Sequence, residues 1–226
     1  MTEKLQSKGT CRFCRIDLNK TGMTRHLKSC NQRAAQIDQA NNKKNRQENI
    51  FHLQIQDAYQ GDYWLHLEMS GATKLTELDN YLRAIWLECC GHLSQFSHKK
   101  WGEEISMTLT ANQVFTPGIE LYHIYDFGSS SETKIKVAAE RNGSFLTSKP
   151  IFLMARNEPP EFLCEECGKP ATWLCIECIY EYESEGTYCD KHAESHPHDD
   201  YGEPVEIVNS PRLGVCGYTG PADPPY

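Results

Sequence analysis

The amino-acid sequence predicts an α+β protein in which a central antiparallel or mixed sheet with one main helix is flanked by two small zinc-stabilised modules. In the middle of the chain, apolar and polar residues alternate in several segments, as in half-buried strands, and one segment has helical spacing. Closely spaced pairs of cysteine and histidine lie on both sides of this region. Such pairs are typical of zinc sites, and zinc supplies folding free energy that a short segment lacks.

Four segments follow from these patterns. We expect a basic finger and linker at 1–48, an α+β domain at 49–157, a zinc module at 158–210 and an irregular tail at 211–226. The net charge of −8 is unevenly distributed: residues 1–50 carry 11 Lys and Arg against 4 Asp and Glu, whereas residues 161–226 carry 3 against 14. This acidity argues against nucleic-acid binding over the whole surface and leaves the basic head as the candidate.

The chain contains no apolar run near the roughly 20 residues that span a bilayer. Its start, MTEKLQSKGTC, lacks the apolar core of a secretory signal. We therefore expect a cytoplasmic protein with no membrane contact. Thiols stay reduced in that compartment, which favours metal ligation over disulfides for paired cysteines.

The basic head, CRFCRIDLNKTGMTRHLKSC, contains four potential zinc ligands: Cys11, Cys14, His26 and Cys30. Two chelating pairs with three cysteines and one histidine match a tetrahedral structural site. A knuckle would present the first pair, and a helix from about Thr21 would present the second pair on one face. Leu18, Met23 and Leu27 are the expected small core. The polar stretch that follows is either a helical extension of this finger or a flexible linker.

Basic residues surround the predicted zinc site and are the candidate nucleic-acid contacts: Arg12, Arg15, Lys20, Arg25 and Lys28. The head resembles CCHC variants of the ββα finger, a resemblance that implies a helix able to enter the major groove of DNA. Fingers of this kind also bind proteins, and basic side chains also occur on exposed faces without a partner. The charge alone therefore leaves DNA, RNA and protein open as partners.

The central domain begins near Asn49, where IFHLQIQDA and YWLHLEM alternate and predict two strands joined by the turn YQGD. TKLTELDNYLRAIWLECC has apolar residues at helical spacing and predicts the main helix. Thr73 or Thr76 is its expected cap and Gly91 its expected end. Further strands are predicted around HLSQFS, ISMTLT, IELYHIYDF and TKIKVAAE.

Two stretches carry a family resemblance, YWLHLEMSGATKLTELDNYLRAIWLECCGHLSQF and LYHIYDFGSSSETKIKV. In order, they contain Leu75, Leu78 and Asp79 of the helix, then H-L-x-x-F, then Y-D-F-G. Over residues 50–157 the chain resembles the plasmid Ri ORF-three-like domain, which also occurs in insertion-element passenger proteins. His123 lies where that family has the first tyrosine of its last motif. The resemblance implies the α+β fold and a mobile-element context. It implies no reaction, because the family has no settled activity.

ECCGHLSQFSH contains four groups suited to a metal site or a nucleophilic pair: Cys89, Cys90, His92 and His98. Cysteine is often buried, and Cys89 continues the apolar face of the predicted helix, so a structural role is favoured. Any hidden chemistry is expected at Cys90 and His92 beside Tyr125 and Asp126. These four residues are weak catalytic candidates, and no complete catalytic constellation is evident.

CEECGKPATWLCIECIYEYESEGTYCDKHAESHPH contains eight further ligand candidates in four pairs: Cys164, Cys167, Cys175, Cys178, Cys189, His192, His196 and His198. Two closed tetrahedral zinc sites are the simplest arrangement of eight ligands, which makes three zinc ions in the whole chain. The pairs could be used sequentially or interleaved. Interleaving is favoured, since sequential pairing would crowd four ligands into residues 189–198.

This stretch resembles a B-box zinc finger, whose cross-brace interleaves its ligand pairs. The closing His-Pro-His is tighter than the B-box spacing, which leaves His198 or Cys216 as the last ligand. Many acidic residues in the module would repel phosphates, so the sequence favours a protein partner there.

These observations favour a zinc-binding adaptor or regulator that contacts nucleic acid through its basic finger and protein through its acidic module. A protein-only scaffold is the second hypothesis. An enzyme with its site in the central domain is the third.

Overall fold

The protein has the predicted α+β fold. This computed structural model describes residues 7–43, 46–198 and 200–220, and in these residues the strands form two antiparallel sheets. The strands are β1 Lys8–Cys11, β2 Asp17–Asn19, β3 Glu48–Asp57, β4 Trp64–Ser70, β5 Ser94–Ser97, β6 Glu104–Ile105, β7 Glu120–Tyr125, β8 Ser131–Gly143, β9 Ile151–Asn157, β10 Trp173–Leu174, β11 Thr187–Tyr188 and β12 Val205–Glu206. The helices are α1 Lys20–Ser29, α2 Asn31–Asn42, α3 Leu75–Leu82, α4 Ala111–Val114, α5 Ile176–Glu181 and α6 Asp190–Glu194.

The large sheet has nine strands in the order β2-β1-β9-β4-β3-β8-β7-β5-β6. Every neighbouring pair in it is antiparallel. The predicted β3–β4 hairpin lies near its middle, with Phe51 opposite Met69 and Leu53 opposite Leu67. The finger strands β1 and β2 extend the sheet at one edge, because β1 pairs with β9.

The main helix covers one face of the sheet. Leu75, Leu78 and Leu82 of α3 are fully buried against apolar side chains of β3, β4 and β8. The helix begins after Lys74 without a side-chain cap, so the predicted threonine caps are wrong. It continues as a π-helical turn, Arg83–Leu87, and ends there rather than at Gly91. Cys89 therefore lies in the following turn and not on the helix face.

The finger and α2 cover the other face. Met23 and Leu27 of α1 share an apolar cluster with Trp64 and Met154 of the sheet, and all four are fully buried. Strand β4 is consequently buried along its whole length on both faces. The polar stretch after the finger is helical from Asn31 to Asn42.

Polar side chains of the sheet are paired beneath this cover. The Glu68 carboxylate accepts hydrogen bonds from Arg33 of α2 at 2.6 Å and from Arg141 of β8 at 2.8 Å. These ion pairs lower the pKa of Glu68 although its burial acts in the opposite direction. His52 Nε2 lies 2.9 Å from His66 Nδ1 in the same layer.

The C-terminal module has its own small sheet, β11-β10-β12, beside α5 and α6. After β12 the chain returns to the central domain. The Asn157 side chain donates to Asn209 Oδ1, and the Asn209 side chain donates to the Asn157 backbone carbonyl. Ser210 donates to the Trp86 carbonyl. Arg212 is completely buried among residues of the central domain. Within the described ranges, no helix has both the length and the apolar character needed to cross a membrane.

Candidate metal centres

Tetrahedral zinc sets a simple geometric test. Zinc lies about 2.3 Å from a thiolate sulfur and about 2.0–2.1 Å from an imidazole nitrogen, so neighbouring ligand atoms lie roughly 3.3–3.8 Å apart. Four groups of cysteine and histidine among the described residues bring four ligand atoms within 4.8 Å of one another, and these groups could hold metal ions. All eleven cysteines are free, so none of the sulfur atoms in these groups belongs to a disulfide.

The first group contains the four ligands predicted in the basic head. Cys11 ends β1, Cys14 lies in the following turn, His26 lies in α1 and Cys30 follows its last residue. Asn19 caps α1 by accepting a hydrogen bond from the Gly22 backbone, which positions this helix over the knuckle. Cys14 Sγ lies 3.2 Å from His26 Nε2.

The environments of these thiols differ. Burial raises the pKa of Cys11 to about 11. The pKa of Cys14 is lowered: burial would raise it, but the Ile16 backbone amide and the neighbouring thiols have a larger combined effect. Because zinc binds the thiolate, metal binding at this group must release protons and is favoured by rising pH.

The second group joins Cys164 and Cys167 to Cys189 and His192. Cys164 Sγ lies 3.3 Å from His192 Nδ1, and Cys167 Sγ lies 3.8 Å from Cys189 Sγ. Cys189 Sγ is 3.6 Å from His192 Nδ1. Burial acts against ionisation of Cys164, but hydrogen bonds from the Cys189 backbone and from His192 outweigh it and lower the pKa of Cys164 to about 6.

The third group joins Cys175 and Cys178 to His196 and His198. Cys178 Sγ lies 3.2 Å from His196 Nε2 and 3.1 Å from His198 Nδ1, and the two imidazole nitrogens are 3.2 Å apart. The structure therefore has the interleaved pairing, with His198 as the last member. Tyr188 packs on His196 with ring centroids 4.2 Å apart, which fixes that imidazole.

A fourth group was not among the three sites expected from the sequence. It contains Cys89, Cys90, His92 and Cys216. His98, which the sequence placed with them, does not belong to it. Cys216 completes this group rather than the third one, and its side chain is exposed. A Cys-Cys-x-His pattern is visible in the sequence, but its fourth member lies 124 residues further along the chain, beyond the reach of spacing arguments.

The weak catalytic candidates lie close together but do not form a catalytic relay. Cys90 Sγ lies 3.0 Å from His92 Nε2, and Asp126 Oδ2 lies 3.5 Å from the same nitrogen. A relay needs the carboxylate at the other imidazole nitrogen, so that one nitrogen takes the thiol proton while the other is oriented. Asp126 is instead bound to Arg212 at 2.6 Å. Surface pockets of about 220 and 300 Å³ lie elsewhere, and none of these residues lines them.

The five basic candidates of the head have different surroundings. Arg25 and Lys28 are exposed on α1, and Arg15 is exposed in the knuckle. Arg12 is exposed and its guanidinium lies 5.1 Å from the centre of the Phe152 ring. Lys20 differs, because its ammonium donates to the Gly61 carbonyl at 3.0 Å and burial lowers its pKa. Lys20 therefore attaches the finger to the β3–β4 turn.

Comparison with known proteins gives little further information. No protein-family model matches the chain, and no curated protein matches it. Among solved structures, the chain is similar to a protein of unknown function from Methanosarcina mazei Go1. The two are 16% identical with a TM-score of 0.40, over 54% of this chain and 75% of that chain.

Proposed function

We propose that the protein is a zinc-binding adaptor that contacts nucleic acid through the outer face of α1 and protein through its acidic C-terminal module. The observation that carries this proposal is a basic stripe on α1. Thr21, Arg25 and Lys28 are exposed at helical spacing, on the side opposite the buried Met23 and Leu27. The side chains of Arg25 and Lys28 make no hydrogen bond or ion pair with any described residue, so both charges are available to phosphates.

A pocket beside the finger continues this basic surface. It has a volume of about 220 Å³, and its lining includes Arg12, Lys149, Thr147 and Ser148. Arg12 and the Ser148 hydroxyl are donors of the kind that bind phosphate oxygens, whereas the Thr147 hydroxyl donates to the Lys149 carbonyl at 3.1 Å. The pocket therefore supports a nucleic-acid backbone that runs from α1 across the β1–β9 pair.

Contacts between the finger and the sheet fix the orientation of the finger. The finger shares its apolar cluster with Trp64 and Met154, and Lys20 binds the β3–β4 turn. A finger held in this way loses little orientational freedom when it binds. A single finger contacts about three base pairs, so we expect modest affinity and a strong dependence on salt.

The C-terminal module favours a different partner. Glu181, Glu183 and Glu185 are exposed and would repel phosphates. Tyr180 and Tyr201, each 51% exposed, lie beside them with ring centroids 6.1 Å apart. Exposed tyrosines are enriched at protein interfaces. In cross-linking pull-downs, Tyr180→Ala should lose a protein partner that the wild-type chain retains. Tyr59→Ala is the control, because Tyr59 is an exposed tyrosine outside the module. Equal retention of the partner by both variants would contradict this part of the proposal.

Fluorescence anisotropy across a salt series tests the nucleic-acid contact. We expect the zinc-loaded full chain to bind short duplexes more weakly as salt rises. Arg25→Ala/Lys28→Ala should lower the slope of log affinity against log salt by roughly two, since each phosphate contact contributes about 0.9 for duplex DNA.

Lys74→Ala/Lys99→Ala is the matched control, because it removes two exposed lysines of the central domain. It should leave the slope unchanged. An equal effect of both double variants would mean that only net charge matters. No binding by the wild-type chain would favour the protein-only scaffold instead.

A further inference from the structure

We propose that Cys89, Cys90, His92 and Cys216 form a fourth zinc site, which fastens the C-terminal tail to the central domain. Three of these residues lie in the turn between the main helix and β5, and the fourth lies in the tail. This site is separate from the proposed nucleic-acid and protein contacts, and it does not depend on them.

The ligand atoms have the spacing of a tetrahedral site. Cys90 Sγ lies 3.7 Å from Cys89 Sγ and 3.7 Å from Cys216 Sγ. His92 Nε2 lies 3.0 Å from Cys90 Sγ and 3.5 Å from Cys216 Sγ. These separations agree with the roughly 3.3–3.8 Å edges expected around zinc, to within a few tenths of an ångström, and with those of the other three groups.

The distribution of cysteines supports the same conclusion. The chain has 11 cysteines, and all of them fall in the four groups. Eight belong to the three predicted groups, and the remaining three converge with a histidine although one of them is distant in sequence. Three thiolates and one imidazole are a usual ligand set for structural zinc, and soft thiolates select against magnesium and calcium.

A buried cation contacts one of the proposed ligand sulfur atoms. Zinc with three thiolates and a neutral imidazole has a net charge of about −1. Arg212 is completely buried, and its Nη2 donates to Cys89 Sγ at 3.3 Å and to Asp126 Oδ2 at 2.6 Å. A cation that hydrogen-bonds a ligand sulfur is a typical outer partner of a metal site.

The turn that carries three of the ligands is held by hydrogen bonds. Tyr125 donates to Glu88 at 2.8 Å, and Arg83 donates to the same carboxylate at 2.7 Å. The His92 backbone amide donates to the Tyr125 hydroxyl. Gly91 has a φ of +81°, which a glycine adopts without strain and which turns His92 back toward the two cysteines. These contacts position the three ligands of the turn.

The tail brings the last ligand from the other side. Ser210 and Arg212 anchor the tail on the central domain, and Gly214 turns it with a φ of +70°. Cys216 then points to the other three ligands. Residues 207–220 also connect β12 of the C-terminal module to the sheet, so zinc at this position would hold the module against the central domain.

Counting zinc by native mass spectrometry tests the proposal. We expect four ions in the wild-type chain and three in Cys216→Ser. His98→Ala is the matched control, because it removes an exposed histidine near the group that is not a member of it; it should keep four ions. Three ions in both wild type and Cys216→Ser would overturn the proposal, as would four ions in both.

Thiol alkylation of the wild-type chain gives a second readout that needs no variant. Cys90 and Cys216 are exposed, so an alkylating reagent can reach both thiols when no metal holds them. With zinc bound both should be protected, and a chelator should make both open to alkylation. Fast alkylation of Cys90 and Cys216 in the presence of zinc would overturn the proposal. A disulfide between Cys90 and Cys216 in the zinc-loaded chain, detected as a mass lower by two hydrogen atoms, would also overturn it.

Discussion

The N-terminal finger and the C-terminal module use the same types of metal ligand but differ in how they are supported. The finger packs Met23 and Leu27 against Trp64 and Met154, so its apolar cluster contains side chains of the large sheet. The buried cluster of the C-terminal module consists of three ligand cysteines and Tyr188. The finger is thus one part of a larger core, whereas the core of the module is mainly its own metal ligands.

Two regions with the same types of ligand can therefore differ in how far their folding depends on metal. Burial of a leucine-sized side chain contributes about 1.5–3 kcal/mol, and the finger has several such contacts with the sheet. The C-terminal module has few of them, so we expect metal binding by its two Cys/His groups to supply most of its folding free energy. Metal removal, core truncation and pH should therefore affect the two regions differently.

Removal of zinc should have the largest effect. Structural zinc contributes an apparent 10–16 kcal/mol in finger peptides at neutral pH, so a chelator should unfold the C-terminal module. We expect hydrogen exchange to show complete loss of protection in residues 164–198 and partial protection retained in α1. Equal loss in both regions would mean that the contacts between finger and sheet do not stabilise the finger on their own.

Truncation of one buried leucine in each region should have an intermediate effect. Leu27→Ala is expected to cost about 2–5 kcal/mol and to lower the stability of finger and sheet together. Leu174→Ala should reduce protection only within the C-terminal module, since Leu174 lies in its small sheet. Denaturant unfolding combined with hydrogen exchange measures both. Leu93→Ala is the control, because Leu93 is 71% exposed.

Protonation of the buried histidines should have the smallest effect of the three and should act on the layer between finger and sheet. Burial lowers the pKa of His52 from 6.5 to about 3, and it lowers the pKa of His66 well below its usual value. Since the folded-state values lie below the unfolded value, this contribution to stability is complete above pH 6.5 and decreases as the pH falls toward 3. For His52 the loss at pH 5 is about 2 kcal/mol.

His52→Gln removes one of these titrating groups and should reduce the loss of stability between pH 7 and pH 5. The exposed His98→Gln is the matched control and should behave as the wild type. Release of zinc at low pH affects all three proteins equally and cancels in the comparison. The same pH dependence in His52→Gln and wild type would show that folding does not lower the pKa of His52.

Local patterns in the sequence were enough to predict the fold class, the β3–β4 hairpin and the core of the finger. The alternation that placed Phe51 and Leu53 on one face is a property of the strand itself. The Cys-x2-Cys pairs are also local, because two ligands so close in sequence can reach one ion only in a knuckle or helical turn. Predictions of this kind depend on a few neighbouring residues and hold without knowledge of the rest of the chain.

Other features depend on segments that meet only in the folded chain. Alternation alone would leave Trp64, His66 and Glu68 facing solvent, but the finger and α2 cover that face of the sheet. Cys216 joins His92 because the tail returns to the central domain, and no pattern within a few residues specifies that contact. Local patterns thus predicted the β3–β4 hairpin, the main helix and the local ligand pairs; they did not predict β9, and the strand expected around ISMTLT is only the two-residue β6 followed by a turn. Which surfaces are covered and which distant ligands meet became clear only from the folded chain, because both depend on packing between segments that are far apart in sequence.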